Sequence, residues 1–176
     1  PLLVTPIFST AFFFYQIHLI EIKNWSMVSY FAIFPFYTIA SVSALLFSGW
    51  LIDKFGVSRI LPFFLLPMSI GLILFSFGDS YFIVLFGFIF LGLTQGTAMT
   101  IGGTFWPNYF GTKNLGSIRS LSTSSMVFGT ALGPFLVGQV LDYGISYNVI
   151  LFIMSLFAIA SSISLFITMS KVPNLK

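Results

Sequence analysis

The chain contains no cysteine, which rules out disulfides and thiolate metal sites and leaves the redox compartment unread. It has one histidine, His18, and four acids, Glu21, Asp53, Asp79 and Asp142, which are spread along the chain. No metal held by protein ligands is expected from such a set, and no cofactor is implied. Charge of any sign is scarce, at 6% of 176 residues. A water-soluble domain of this size covers itself with far more polar surface, so that class is excluded. The net charge of +3 comes from basic residues placed singly, and without a basic patch nothing favours nucleic acid as a partner. Neither a GxSxG motif nor a pair of neighbouring carboxylates occurs, which argues against an intramembrane enzyme, whose chemistry needs a nucleophile with a positioned base at depth. No charged leader with a cleavage site precedes the apolar text that begins at Pro1, and the chain reads as a piece of a longer protein.

What the chain has in quantity is hydrophobicity, with 57% hydrophobic and 19% aromatic residues and a mean hydropathy of +1.04. At about 20 residues per crossing, its length accommodates about six transmembrane helices joined by short loops. Polar breaks place these spans at about Leu3–Ile20, Met27–Leu51, Ile60–Phe77, Tyr81–Phe105, Ile118–Leu141 and Ser146–Ser170. The expected fold class is therefore all-α, a polytopic membrane protein forming one domain over residues 1–176. Pro107 should stop the fourth span, leaving Trp106–Ser117 as the longest polar connection. Pro62 and Pro67 should bend the third, whose polar side chains are Ser69 and Ser76 and which reads as lipid-facing.

Within the spans, polar and small residues are patterned. Tyr30, Tyr37, Ser41 and Ser48 follow one another down the second span as a continuous seam. In the first, Thr5, Ser9 and Gln16 share one helical face while Ala11, Tyr15 and His18 share another, so both reach one pocket only if the helix bends. In the fourth, Gly92, Gly96 and Gly103 make a smooth stripe for close approach of a neighbour, beside the hydroxyls of Thr94, Thr97, Thr100 and Thr104, with Gln95 on the other flank. In the fifth, Gly129 and Gly133 form a GxxxG contact face, Pro134 removes one backbone donor and Gly138 allows close packing.

Orientation follows from charge. Six alternating spans put Lys54, Arg59, Lys113, Arg119, Lys171 and Lys176 on one side and Lys23 alone on the other. The positive-inside rule then makes the loops at 52–59 and 106–117 and the C-terminus cytoplasmic. Trp25, Trp50 and Trp106 all fall at span ends, where aromatic belts lie. The segment "GWLIDKFGVS" at Gly49 is echoed by "GQVLDYGIS" at Gly138, 89 residues further on, each with GxxxD closing a span. A repeat of three spans reverses its topology, so two inverted repeats are expected, about 1–88 and 89–176, as in many secondary transporters.

The run Ser48–Arg59 concentrates the charge, and its spacing GxxxDxxGxxR, at Gly49, Asp53, Gly56 and Arg59 with Lys54 between, resembles the loop signature of the major facilitator superfamily. The resemblance implies a loop whose acid and bases make or release contacts as the protein changes state. A carboxylate such as Asp53 is also stabilised by the unpaired NH groups of a helix N-terminus. Val57 and Ser58 stand where the family often has basic residues; this weaker form is similar to the copy in the second half of such transporters, and "GTALGPFLVG" looks like their Gly-Pro helix. The resemblance thus implies the C-terminal six-helix half of a secondary active transporter in an inner or plasma membrane, working by alternating access against an N-terminal six-helix half. Further partners so implied are the lipid bilayer, a small-molecule substrate and a coupling proton or ion. It also implies a cavity lined by the first, second, fourth and fifth spans, with Gln16, His18, Tyr30, Tyr37, Gln95, Thr97, Arg119 and Thr123 as candidates along the path. Polar side chains at membrane depth are costly unless they face protein or water; each of these also fits plain interhelical bonding, and Arg119 fits a snorkelling anchor. His18 is the one side chain in a span able to exchange a proton near neutral pH. The loop "YFGTKNLGSIRS" is similar to that of carboxylate-transporting branches, which suggests organic anions. The competing reading is a membrane anchor or sensor that transports nothing.

Overall fold

The computed structural model describes residues 2–171; Pro1 and the tail with Lys176 lie outside them. Among the described residues the secondary structure is helical: α1 (Val4–Phe14), α2 (Gln16–Ile22), α3 (Met27–Phe31), α4 (Phe34–Phe55), α5 (Val57–Ile60), α6 (Leu66–Phe77), α7 (Tyr81–Phe110), α8 (Leu115–Asp142) and α9 (Tyr147–Lys171). Four stretches are long and apolar enough to cross a membrane, namely Met27–Phe55, Tyr81–Phe110, Leu115–Asp142 and Tyr147–Lys171, while Val4–Phe14 and Leu66–Phe77 are apolar but shorter.

The shorter pieces have local causes. The first helix is interrupted at Tyr15, which leaves helical geometry at φ −96° and ψ 14°. Pro35 sits in the first turn of α4, and Pro67 in that of α6; a proline is tolerated there but prevents the helix from extending backwards unbroken. The turn between α5 and α6 leaves the carbonyl of Pro62 free, and Ser162 of α9 donates its hydroxyl to it. That repair matters where no water is available to pair a backbone group.

Contacts fix the helix directions. α4 and α7 run parallel in the most extensive pairing: Gly92 faces Tyr37 and Ala40, Gly96 faces Ser41 and Leu45, and Ser48 Oγ donates to Thr100 Oγ1 at 2.9 Å. α1 and α8 are also parallel, with Gly133 against Ile7 and Gly138 against Tyr15. α6 lies antiparallel to α7, Gly71 meeting Gly87 and Leu91, and Gly78 meeting Ile83. It is antiparallel to α9 as well, since Ser76 Oγ donates to the Asn148 carbonyl at 2.8 Å while Phe63 packs on Phe166 at the far end. Lys54, Arg59, Lys113, Arg119 and Lys171 consequently gather at one end of the bundle, hereafter the basic end, and Glu21, Lys23, Asp79 and Asp142 at the opposite one.

Two expectations need correction. α6 does not simply face lipid: Met68, Ser69, Gly71, Leu72, Phe75 and Ser76 are buried because the helix is wedged between α7 and α9. Pro107 does not stop the fourth span either, because α7 continues to Phe110. The connection to α8 is thereby shortened to residues 111–114. At the opposite end, aromatic rings around Phe88 fill the core, with Tyr30 at 5.1 Å, Phe34 at 5.0 Å and Phe75 at 5.3 Å. Large apolar side chains such as Leu46, Phe47, Phe128, Phe135 and Phe157 cover the exterior, which suits hydrocarbon and not water.

Candidate functional site

Between α1, α7 and α8, towards the basic end, lies a cavity of about 760 Å³. α1 contributes Thr5, Pro6, Ser9 and Thr10; α7 contributes Gln95, Met99, Gly102 and Trp106; and α8 contributes Ile118, Ser122, Ser125 and Thr130. On α7 the spacing of Gln95, Met99, Gly102 and Trp106 is that of one helical face, so a single straight stripe forms the wall. The volume falls in the range of about 300–1,000 Å³ usual for small-molecule sites.

The hydroxyls of this cavity divide in two by their partners. Thr10 donates to the Pro6 carbonyl at 2.6 Å, Ser125 to Leu121 at 2.9 Å and Thr130 to Val127 at 2.6 Å, so their protons are committed to their own helices. Thr5, Ser9 and Ser122 differ, with no side-chain hydrogen bond among the described residues; Thr5 is 7% exposed and its hydroxyl is buried. Gln95 likewise makes no side-chain hydrogen bond among the described residues. No charged side chain lines the cavity.

Of the path candidates, Gln95 is the one that reaches this cavity. The interruption at Tyr15 turns the next residues away from it. Tyr15 Oη donates to the Pro134 carbonyl at 3.3 Å, His18 packs edge-on to Tyr147 at 5.9 Å, and the amide oxygen of Gln16 is buried without a partner. Tyr30 and Tyr37 join the aromatic core, Tyr37 lying 6.2 Å from Phe88. The polar seam of the second span is thus turned to α7, and Thr97 donates back to Leu93 at 2.8 Å. Arg119 and Thr123 line a separate, open groove on another face of α8, together with Ser120, Ser124, Val127 and Phe128. Thr10, Ser122, Ser125 and Thr130 were not singled out in the sequence; the signals for them were the i, i+3 spacing of Ser122 and Ser125 on one face of α8 and the position of Thr10 one turn along α1 from Pro6.

Arg119 has a definite partner. Its guanidinium donates to the carbonyl of Gly103 at 3.0 Å, four residues before Pro107, the very acceptor that Pro107, lacking an N–H, leaves unpaired. This bond explains how α7 passes through its proline, and it ties α7 to α8 beside the cavity.

At the basic end, α4 stops at Gly56, whose φ of +84° favours glycine. Asp53, Lys54, Gly56 and Arg59 are exposed, and Lys54 Nζ lies 5.0 Å from the Trp50 ring. Among the described residues Asp53 forms no ion pair, the one pair being Lys23 with Asp79 at 2.8 Å at the other end. The loop is held to the bundle by Ser58, whose hydroxyl lies 2.7 Å from Tyr109 Oη. Tyr109 in turn donates to Met169 Sδ at 3.4 Å, so the loop, α7 and α9 are linked in series.

The packing glycines sit at the closest helix crossings. A Cβ on Gly96 would meet the Ser41 carbonyl, and one on Gly133 the Ile7 carbonyl. Gly92 and Gly129 lie one turn before each, where an added Cβ would stand 2.5 Å from the Tyr37 carbonyl and 3.2 Å from the Ile7 side chain respectively. No curated protein matches the chain, and no solved structure does. A family model described as Major Facilitator Superfamily matches residues 2–176. With that match spanning the described helices and their apolar exterior, this chain belongs to the Major Facilitator Superfamily and is part of a membrane transporter.

Proposed function

We propose that the chain is one six-span half, the C-terminal one, of a secondary transporter that moves a small solute by alternating access. The observation that carries this is the cavity between α1, α7 and α8, which holds unpartnered polar groups at membrane depth. A plain anchor has no use for such a space, a fixed sensor would keep it open to one face alone, and a membrane-embedded enzyme would need a nucleophile and base within it. Support for an absent second half comes from α8, which buries only Gly129, Gly133 and Val137 and leaves Arg119, Ser120, Thr123 and Ser124 uncovered. Hydroxyls and a guanidinium on that face suit water or another bundle better than lipid.

Two inverted repeats, about 1–88 and 89–176, are supported by the crossing points. The shift of 89 residues that carries Gly49 onto Gly138 carries Ile7 onto Gly96. It also carries Ala44, between the two residues Gly96 touches, onto Gly133, the residue Ile7 touches. On this reading the α1–α8 and α4–α7 pairs correspond, and each copy of the motif ends at a glycine with positive φ, +84° at Gly56 and +81° at Gly144. In this reading the basic end is cytoplasmic, in an inner or plasma membrane. The exposed charges of this corner, Asp53, Lys54 and Arg59, find their partners in the other half. Coupling to a proton would fall to His18 or to that half. Organic anions, suggested by the connection before α8, would have to meet Arg119 in the separate open groove, because the cavity itself has no charged lining; the cavity favours an uncharged solute.

The test uses the absence of native cysteine from this chain. Ser122→Cys, inside the cavity, should react with a membrane-impermeant maleimide both in right-side-out and in inverted vesicles of the full-length protein. Reaction from one face alone, whatever the conditions, would be the signature of a fixed domain and would end the transport reading.

A further inference from the structure

We propose that the α1–α7–α8 cavity receives an uncharged amphiphile, an apolar body bearing a hydroxyl, carbonyl or amide, and that it discriminates against organic anions. This rests on the transport reading for its biological setting, but its physical basis is separate. A site for a carboxylate or a phosphate brings cationic donors to bear, because a buried anion without them is strongly destabilised. Here none of the lining residues is charged. The nearest candidate, Arg119, has its guanidinium on the Gly103 carbonyl at 3.0 Å and lines the other groove. Moving it to an anion would strand the carbonyl that Pro107 leaves unpaired.

The cavity's polar atoms fit a neutral ligand in number and kind. Ser9, Ser122 and Gln95, which line the cavity and make no side-chain hydrogen bond among the described residues, can each donate and accept, and the free hydroxyl of Thr5 is buried beside them. Thr10, Ser125 and Thr130 have spent their protons on their own helices and offer only acceptor lone pairs. These acceptors, with no cation among the lining residues, suit a ligand hydroxyl or amide and leave an anion uncompensated. The remaining wall, with Met99, Trp106, Phe110, Ile118 and Met126 among it, takes the apolar body.

Trp106 in that wall supplies the readout. The full-length protein in lipid nanodiscs would be titrated with three quenchers of one skeleton: 4-nitrobenzyl alcohol, 4-nitrobenzoate and 4-nitrobenzylamine. The expected result is saturable tryptophan quenching by the alcohol alone, absent in Trp106→Phe, and weakened about fivefold in Ser122→Ala and in Gln95→Leu, the ordinary loss for one neutral hydrogen bond. Tighter quenching by the benzoate that Arg119→Gln abolishes would overturn the proposal in favour of anions. Quenching by the alcohol that neither cavity variant alters, or no saturable quenching at all, would overturn it as well. The result is independent of transport. A cavity that prefers the alcohol but never changes sides in the Ser122→Cys labelling would remove the transporter and leave the ligand class, and the reverse outcome would do the opposite.

Discussion

Replacing Gly96 by alanine should separate the two most tightly paired helices of the bundle. The new methyl would press on the Ser41 carbonyl and stand 2.8 Å from the Leu45 nitrogen, whereas an ordinary carbon contact is about 3.5 Å. Backbone cannot rotate aside as a side chain does, so α4 and α7 must part. Overpacking of this kind costs about 1–3 kcal/mol. Parting also stretches the bonds at the same crossing, Ser48 to Thr100 at 2.9 Å and Thr100 to the Leu45 carbonyl at 3.1 Å. At about 0.6 kcal/mol each for bonds between membrane helices, their loss brings the total to about 2–4 kcal/mol. Gly103→Ala is the matched control: it lies on the same helix, and a methyl there meets nothing within 4 Å. Its helix propensity gain of up to about 1 kcal/mol should leave the protein as stable as before, or more so. Reversible unfolding of purified protein in mixed micelles, followed by helical circular dichroism, compares the two. If Gly96→Ala unfolds together with Gly103→Ala, the close crossing does not hold the bundle as argued.

Other expectations follow from single contacts. Arg119→Gln should destabilise the protein by about 1 kcal/mol by stranding the Gly103 carbonyl, and the loss should shrink when Pro107→Ala restores the missing N–H; a double-mutant cycle in unfolding free energy that shows no coupling would refute the repair. Asp79→Asn should cost about 1 kcal/mol, since Lys23 is 7% exposed but Asp79 is 77% exposed. Adding Lys23→Met should recover part of it, because the Ser76 carbonyl at 3.2 Å does not replace the lost carboxylate; thermal unfolding of the three variants reads this. Cysteines at Lys54 and Asp79 should label from opposite sides of sealed vesicles, and labelling of both from one side would break the assigned orientation. Tyr109→Phe should free the Ser58 hydroxyl and raise the labelling rate of a cysteine at Lys54 severalfold, and an unchanged rate would show that this contact does not hold the loop.

The sequence makes some of this bundle readable for physical reasons. In hydrocarbon, backbones approach where side chains are absent, so Gly92, Gly96, Gly129 and Gly133 mark helix crossings directly. Charge marks ends because no ion rests easily at mid-depth, hence the grouping of Lys54, Arg59, Lys113, Arg119 and Lys171. Which neighbour a polar residue meets is a different matter. Tyr37, Ser41 and Ser48 face another helix, and Thr5 and Ser122 face a cavity, although both sets look alike as text. The interruption at Tyr15 decides that Thr5 and Gln16, on one face of an unbroken helix, part company. The proline at 107 misleads for the same reason: its unpaired carbonyl can be located by counting back four residues, but its rescuer, Arg119, stands across a turn. α6 reads as a lipid-facing rod because its sequence is nearly all apolar, and apolarity does not tell lipid from protein.

The length of α7 has a mechanical outcome. Thirty residues at about 1.5 Å each make a rod of about 45 Å, half as long again as a hydrocarbon layer of about 30 Å. Its last turn carries Tyr109 against Ser58, and the turns before it carry Gln95 and Trp106. In the transport reading, a displacement of the charged corner would be carried along this helix to the chamber wall, with Arg119 as the rivet bracing the point where Pro107 withholds a donor.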